Sequence, residues 1–472
     1  MDVNHTVTVL EKIPVAPPPE VTAGISLPFT FLDVFWLHLA PVHRLIFYPH
    51  PISRTHFIDT LIPTIKHSLS LTLQHYSPLA GGVVISPEKS NLPEIRYADG
   101  DTVPLVFAES NSGEGHFSHL TSNHPRNCSE FHPLVPSLPP ASSLPDGSTR
   151  VPVLALQVTL FPDVGICIGV TNHHAIGDGS SIFAFMKAWA FFSRHENTSP
   201  VSLPPEFQPF FDRTVVQDRK GVGTHIWNHI KNIKIEDAHV HRLPSITNKV
   251  RATFSVTRDD IQRLKNHILS QRPNLAHVTS FTMIASYVWN CYVKSRTETS
   301  TDNNEDGDED GDDYFSSPAD YRARLDPPVP RNYFGNCVMG FIAKRKTKLL
   351  AGDDGFAEAA EVIGESIRTQ LNTPKEDDDG PMSDIDDKFR EMSKIKPDRS
   401  LGVASSPRFD YYQLDFGWGK PNKFEVPSID VTGAMSLGTA KDYEGGLEVG
   451  LSLPIAQMNT FMTIFNQGLK AI

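Results

Sequence analysis

Residues 151–192 leave the chain few ways to fold. VPVLALQVTLF (151–161) and GICIGV (165–170) run apolar or alternate, and Pro162 and Asp163 lie between them, a pattern that predicts two strands around a tight turn. Further on, Ile182, Phe185, Met186, Trp189 and Phe192 recur at helical spacing. The junction between strand and helix reads TNHHAIGDGSS (171–181), with Asp178 four residues after His174 and a glycine on either side of that aspartate. Rigid strands position side chains and the loops after them give access, so such junctions often hold reactive groups. Histidine takes and returns a proton near neutrality. The same residues also suit a polar turn, and the spacing alone leaves both readings open. His173 is the weaker base of the pair, because adjacent residues of a strand face opposite sides.

At 472 residues the chain exceeds one ordinary core and predicts two or three domains. HFIDTLIPTIKHSLSLTLQHY (56–76) places Leu61, Ile65, Leu69 and Leu73 four apart, an amphipathic helix starting or kinking at Pro63. SPLAGGVVIS (77–86) turns into a strand. KVRATFSVT (249–257) restarts a strand pattern, DDIQRLKNHIL (259–269) reads as a helix and SFTMIASYVWNCYVKS (280–295) as a buried one. Residues 213–245 between these halves are mixed and polar. The expected organisation is α/β, with domains at 1–212 and 246–472 and a crossover linker at 213–245.

The net charge of −12 comes mostly from one place. TDNNEDGDEDGDD (301–313) holds eight acids and no base, and the remainder carries only −4. No basic stripe argues for nucleic acid. Asp302, Asn304, Asp306, Gly307 and Asp313 fall at positions 1, 3, 5, 6 and 12 of a calcium loop. However, Glu309 stands where such a loop packs an apolar residue and no bidentate glutamate ends it, so a solvated loop is expected there. His239 and His241 lack further ligands, and no metal site is expected. Cys128, Cys167, Cys291 and Cys337 are widely spaced without a C-x-x-C pair, which argues against a disulfide framework. No leader pattern or membrane span is expected, and the compartment is read as the cytosol.

The second informative feature is SPRFDYYQLDFGWGKPNKFE (406–425). Its D-F-G-W-G, together with H-x-x-x-D upstream, resembles the plant BAHD family of acyl-CoA-dependent acyltransferases over the whole chain. FTFLDVFWLHL near the start, FFDRTVV (210–216) and Y-F-G-N-C (Tyr333, Gly335, Asn336 and Cys337 among them) resemble the branch that acylates sugars of anthocyanins, flavonoids and phenolic glucosides. TNHHAIGDG and HVTSFTMIASYVWNC look closest to the malonyltransferases of phenolic glucosides.

The resemblance implies two chloramphenicol-acetyltransferase-like domains, the first carrying HxxxD and the second YFGNC and DFGWG, with a solvent channel between them. It places His174 at mid-channel as general base. Asp178 is expected to face away and pair with a buried arginine, best matched by Arg322. Asp415, Gly417, Trp418 and Gly419 are expected to shape a loop distant from His174. No resident cofactor is implied; malonyl-CoA is the expected co-substrate, with a hydroxycinnamoyl-CoA donor as the alternative and a non-catalytic acyl-CoA-binding protein as the reading from another class. The resemblance implies a protein that acts on small molecules, an acyl-CoA and a phenolic or flavonoid glucoside, and a monomer as the family's usual state. Cationic or helix-capping groups should meet the phosphates of CoA, for which Lys249, Arg251, Thr279 and Ser280 are candidates. Phe35 and Trp36 are candidates for the acceptor side, with buried packing as their other reading.

Overall fold

Leu154–Phe161 and Gly165–Asn172 form an antiparallel hairpin, Leu154 opposite Asn172 and Phe161 opposite Gly165, and all sixteen residues are buried. Strands covered on both faces need no polar alternation, hence the apolar run in the sequence. The computed structural model describes residues 6–19, 24–195, 202–233, 248–275, 277–300, 311–372 and 385–472. It sets the hairpin in the middle of a six-stranded sheet ordered Val7–Val15, Val103–Ser110, Leu154–Phe161, Gly165–Asn172, Val42–Tyr48 and Lys423–Glu425. Only Val103–Ser110 and Leu154–Phe161 run parallel.

The run from Val151 is not one strand. Thr149–Pro152 pairs with Gly82–Ile85 in a separate five-stranded sheet. Proline has no N–H to continue a ladder, and the chain changes sheet directly after Pro152. Helix Ile62–His75 lies against Gly179–Arg194, where Trp189 Nε1 donates to Ser68 Oγ at 3.2 Å. The helical stretch begins earlier than its periodicity suggests, at Arg54, and reaches Ile62 through the wide turn Phe57–Leu61. Pro63 removes the N–H that residue 59 would otherwise receive, and opening the preceding turn accommodates its ring.

The second half builds a four-stranded sheet ordered Ser436–Thr439, Leu447–Pro454, Lys249–Val256 and Arg126–Asn127, and a three-stranded sheet ordered Val338–Lys346, Asp312–Asp320 and Ser400–Gly402. Helices Arg258–Gln271, Ser280–Thr299, Gly355–Ile367 and Ile455–Ala471 close a second core around Trp289, Val288, Ile363 and Phe461. Each half lends the other a short strand: Lys423–Glu425 edges the first sheet and Arg126–Asn127 the second. The two lent strands are tied by a buried ion pair, Arg126 Nη1 to Glu425 Oε1 at 2.8 Å. The first core also takes Tyr321, Tyr333, Cys337, Tyr411 and Phe416 from the later sequence.

Residues 213–233 hold more structure than a polar connection. Val222–Ile230 is a helix that buries Ile226 and Trp227, and Trp227 Nε1 donates to the Lys89 carbonyl at 3.1 Å. Residues 234–247, with His239 and His241, lie outside the described residues, as do Asp302, Asn304, Asp306 and Gly307 of the acidic run. Asp313 is described and is no cation ligand: it is buried, bound to Arg296 through two contacts of 2.6 Å and to Thr347 Oγ1 at 2.6 Å. The four cysteines are buried and free. No helix among the described residues is long and apolar enough to cross a membrane.

Candidate active site

The strand Gly165–Asn172 ends directly before the site. His173 stays buried and accepts a hydrogen bond from Ala175 N at Nδ1, 3.1 Å, capping the tight turn His174–Ile176. This commits its Nδ1 to the backbone. His174 follows on the turn, and Asp178 caps the next helix, Gly179–Arg194, by accepting from Ser181 N at 3.1 Å.

Asp178 lies 2% exposed and receives Arg322 in a two-pronged pair, Nη1 to Oδ2 at 2.8 Å and Nη2 to Oδ1 at 3.1 Å. Its Oδ2 also accepts from Cys337 N at 3.0 Å. These bonds aim the carboxylate at the Tyr333–Cys337 segment and not at the imidazole of His174, so the arrangement is not a catalytic triad.

Tyr333–Cys337 is the clasp over the histidine turn. Arg322 Nη2 donates to the Tyr333 carbonyl at 3.0 Å, the Gly335 carbonyl accepts from Asp178 N at 3.3 Å, and Ser181 Oγ bonds both the N and O of Gly335 at 3.0 Å. Asn336 Nδ2 reaches the His174 carbonyl at 3.0 Å. Gly335 has φ 156°, and a Cβ there would stand 2.0 Å from Arg213 Nη1, so no larger residue fits without moving the clasp.

Two partners of this clasp were not singled out in the sequence. Asp33, fully buried, accepts from Asn336 N at 3.0 Å, from Thr30 N and Oγ1, and from Arg213 Nη1 at 3.3 Å. Arg213 also donates to the Tyr333 hydroxyl at 2.8 Å. The only signal for them was that FTFLDVFWLHL and FFDRTVV contain them.

Two cavities meet at His174. The first, of about 450 Å³, is lined by Phe31, Phe35, Trp36, Leu39, Met339 and Met392. The second, of about 500 Å³, is lined by Arg44, His277, Thr279, Asp320, Arg324 and Arg408. Both volumes suit small-molecule sites. Among the described residues, His174 is the one titratable side chain that borders both. Trp36 lies flat on its ring, centroids 4.0 Å apart and planes 12° from parallel, and Phe35 meets Trp36 edge-on at 5.2 Å. Burial lowers the His174 pKa to about 4, and Arg44 adds to the shift; its own carbonyl, Asp178 and Asn336 oppose it. The imidazole is therefore neutral at physiological pH.

The other candidates are dispersed. Asp415 Oδ1 accepts from Gly417 N at 2.8 Å and Gly419 N at 3.0 Å, folding a loop in which Trp418 stacks on Phe416 and on His50. That loop is held to the far end of Gly179–Arg194 by Ser193 Oγ on the Phe416 carbonyl, 2.9 Å, and borders neither cavity. Thr279 caps Ser280–Thr299 and lines the second cavity, whereas Ser280 turns to Lys265 Nζ and does not. Arg251 is not a phosphate contact: it is 1% exposed, bound to Asp430 at 3.0 Å and Glu425 at 3.3 Å between the sheets. Lys249 is likewise turned away, donating to the Asp430 carbonyl at 3.0 Å. Arg251 sits on a strand of a covered sheet and faces internal acids, whereas the half-buried Lys249 is held by a backbone carbonyl. One surface group among the described residues, His225, His229 and Asp386, gathers possible metal ligands within 4.8 Å, and it borders neither cavity.

A family model described as the transferase family matches residues 5–467. The chain belongs to that family, the BAHD acyltransferases. Phenolic glucoside malonyltransferase 1 of Nicotiana tabacum is 44% identical over 98% of this chain and 99% of its own. The malonyl-coenzyme:anthocyanin 5-O-glucoside-6'''-O-malonyltransferase of Salvia splendens is 40% identical over 99% and 96%. The crystal structure of vinorine synthase superposes with a TM-score of 0.66 at 21% identity, covering 96% of each chain. The fold is thus the BAHD one, two chloramphenicol-acetyltransferase-like halves with a channel between them, and the chain is an acyltransferase.

Proposed function

We propose that this protein transfers the malonyl group of malonyl-CoA to a sugar hydroxyl of a phenolic, flavonoid or anthocyanin glucoside, with His174 as general base. One observation carries the reading: among the described residues, His174 is the titratable group common to an apolar cavity and a cation-bearing one. An acceptor with an aromatic aglycone fits the side of Phe35 and Trp36. The CoA thioester fits the other side, where Arg324 and Arg408 stand exposed and Thr279 opens a helix for its phosphates. The relatives named as malonyltransferases support the donor.

The neutral imidazole removes the hydroxyl proton as the sugar oxygen bonds to the thioester carbonyl carbon, a contribution of about 10²–10⁴-fold. The tetrahedral oxyanion then collapses, the carbon–sulfur bond breaks, and the imidazolium returns its proton to the departing thiolate, releasing CoA as a thiol. No covalent enzyme intermediate is needed. Asp178 and Arg322 hold the histidine turn and the clasp in place. With both halves of the channel in one chain, a monomer suffices, acting in the cytosol.

The test is a coupled assay of purified protein with a flavonoid glucoside, following free CoA thiol and acylated product together. Equal amounts of thiol and malonylated glucoside are expected. Turnover with p-coumaroyl-CoA but not malonyl-CoA overturns the donor; thiol release without acylated glucoside makes the protein a hydrolase.

A further inference from the structure

Five arginines among the described residues are buried: Arg44, Arg126, Arg213, Arg251 and Arg322. Four are paired with carboxylates, to Glu425 at 2.8 Å, Asp33 at 3.3 Å, Asp430 at 3.0 Å and Asp178 at 2.8 Å respectively. Arg44, 8% exposed, has no acidic side chain within ion-pair distance among the described residues. Its hydrogen-bond partner is neutral, Asn172 Oδ1, at 2.6 Å from Nη1. Asn172 is turned to present that oxygen because its Nδ2 donates to the His173 carbonyl at 3.1 Å. A buried guanidinium is costly without an anion, and it has five N–H donors of which Asn172 takes one.

Arg44 does not face the core. It lies on Val42–Tyr48 opposite Val170, and it lines the second cavity together with His174. It is close enough to the imidazole to act on its titration. Arg324 and Arg408 line the same cavity but are exposed, and Arg408 sits 3.9 Å from Asp320. The cavity thus has cations at two depths. The phosphates of CoA are separated from the thioester by the whole pantetheine arm, so when the thioester carbonyl is beside His174 they cannot also reach Arg44. A malonyl carboxylate is one methylene from that carbonyl and must lie near His174.

We propose that Arg44 selects the acyl group, its guanidinium pairing with the free carboxylate of malonyl-CoA and seating the thioester carbonyl at His174. This rests on the malonyl reading above and names the residue that enforces it. The pairing is the planar, two-pronged kind for which arginine is suited and lysine is a poorer substitute.

Acetyl-CoA is the control donor, since it differs from malonyl-CoA only by the carboxylate. Affinities of both for wild type, Arg44→Met and Arg44→Lys are measured by calorimetry without acceptor, and kcat/KM is measured where turnover occurs. Wild type should prefer malonyl-CoA, Arg44→Met should lose about 10²-fold on malonyl-CoA while acetyl-CoA changes little, and Arg44→Lys should fall between. Free CoA affinity should not move in either variant, a readout that damage to the fold would disturb. If wild type binds the two donors equally, or both donors weaken in parallel in Arg44→Met, the assignment of Arg44 is overturned, whatever the turnover. If malonyl-CoA is preferred through Arg44 yet no glucoside is malonylated, the acceptor reading fails and the assignment of Arg44 stands.

Discussion

The two sides of His174 differ in the kind of constraint they impose. On one side Phe31, Phe35, Trp36, Leu39 and Met392 offer surface and shape with few fixed charges. On the other, Arg44, Arg324 and Arg408 offer charge at two depths. An apolar wall discriminates weakly among flat ring systems, since one methylene more or less is worth about 1–3 kcal/mol. A desolvated cation discriminates strongly, because an uncharged donor leaves it unpaired. On the proposed assignment of the two cavities, the contrast predicts a strict donor and a tolerant acceptor, with His174 serving both.

Breaking the shared group should affect both sides most. Replacing His174 by Ala is expected to lower kcat about 10³-fold while leaving CoA affinity unchanged in a binding titration. The pH profile of kcat/KM is a finer probe of the same group. As the proposed base His174 must be neutral, and its pKa is lowered, so the acidic limb should lie well below 6.5, activity falling only as the pH drops toward about 4. A limb at or above 6.5 would assign the base to another group.

Next in size is the support beneath both sides. Asp178→Ala strands the buried Arg322 and removes the cap of Gly179–Arg194, so a loss of about 3–5 kcal/mol in denaturant stability is expected together with loss of activity toward every donor and acceptor. An active, stable Asp178→Ala would show that the clasp does not depend on this pair.

Smaller effects should separate the sides. Trp36→Ala removes the indole stacked on His174 and should raise the acceptor KM about tenfold, with the donor KM unchanged. Arg408→Ala with Arg324→Ala should raise the donor KM only about fivefold, because exposed ions are each worth about 0.2–1 kcal/mol, and the effect should shrink with added salt. If Trp36→Ala instead raises the donor KM, the two cavities have been assigned the wrong way round.

Much of the first sheet and its helix was legible because it depends on near neighbours. Leu154–Phe161, Gly165–Asn172 and Gly179–Arg194 follow from apolar period and from Pro162 and Asp163 at the turn. Ser280–Thr299 and Arg258–Gln271 are legible in the same way. The break at Pro152 and the wide turn before Pro63 were less so, since a proline announces a change without saying what the chain does next. Among the phosphate candidates, Arg251 shows how composition misleads: a cation at a strand start looks exposed until Glu425 and Asp430 are brought against it from later in the chain.

The sequence by itself determined where the histidine turn begins and ends and, through TNHHAIGDG, YFGNC and DFGWG, which family the chain belongs to. Local periodicity and residue-specific backbone preferences need no distant partner. Only the tertiary structure decided that Asp33 and Arg213 complete the clasp, that each half lends the other a strand, and that, among the described residues, Arg44 alone of five buried arginines lacks an acid. Pairing of buried charges is settled by contacts between residues far apart in the chain, and one-dimensional spacing contains no term for them.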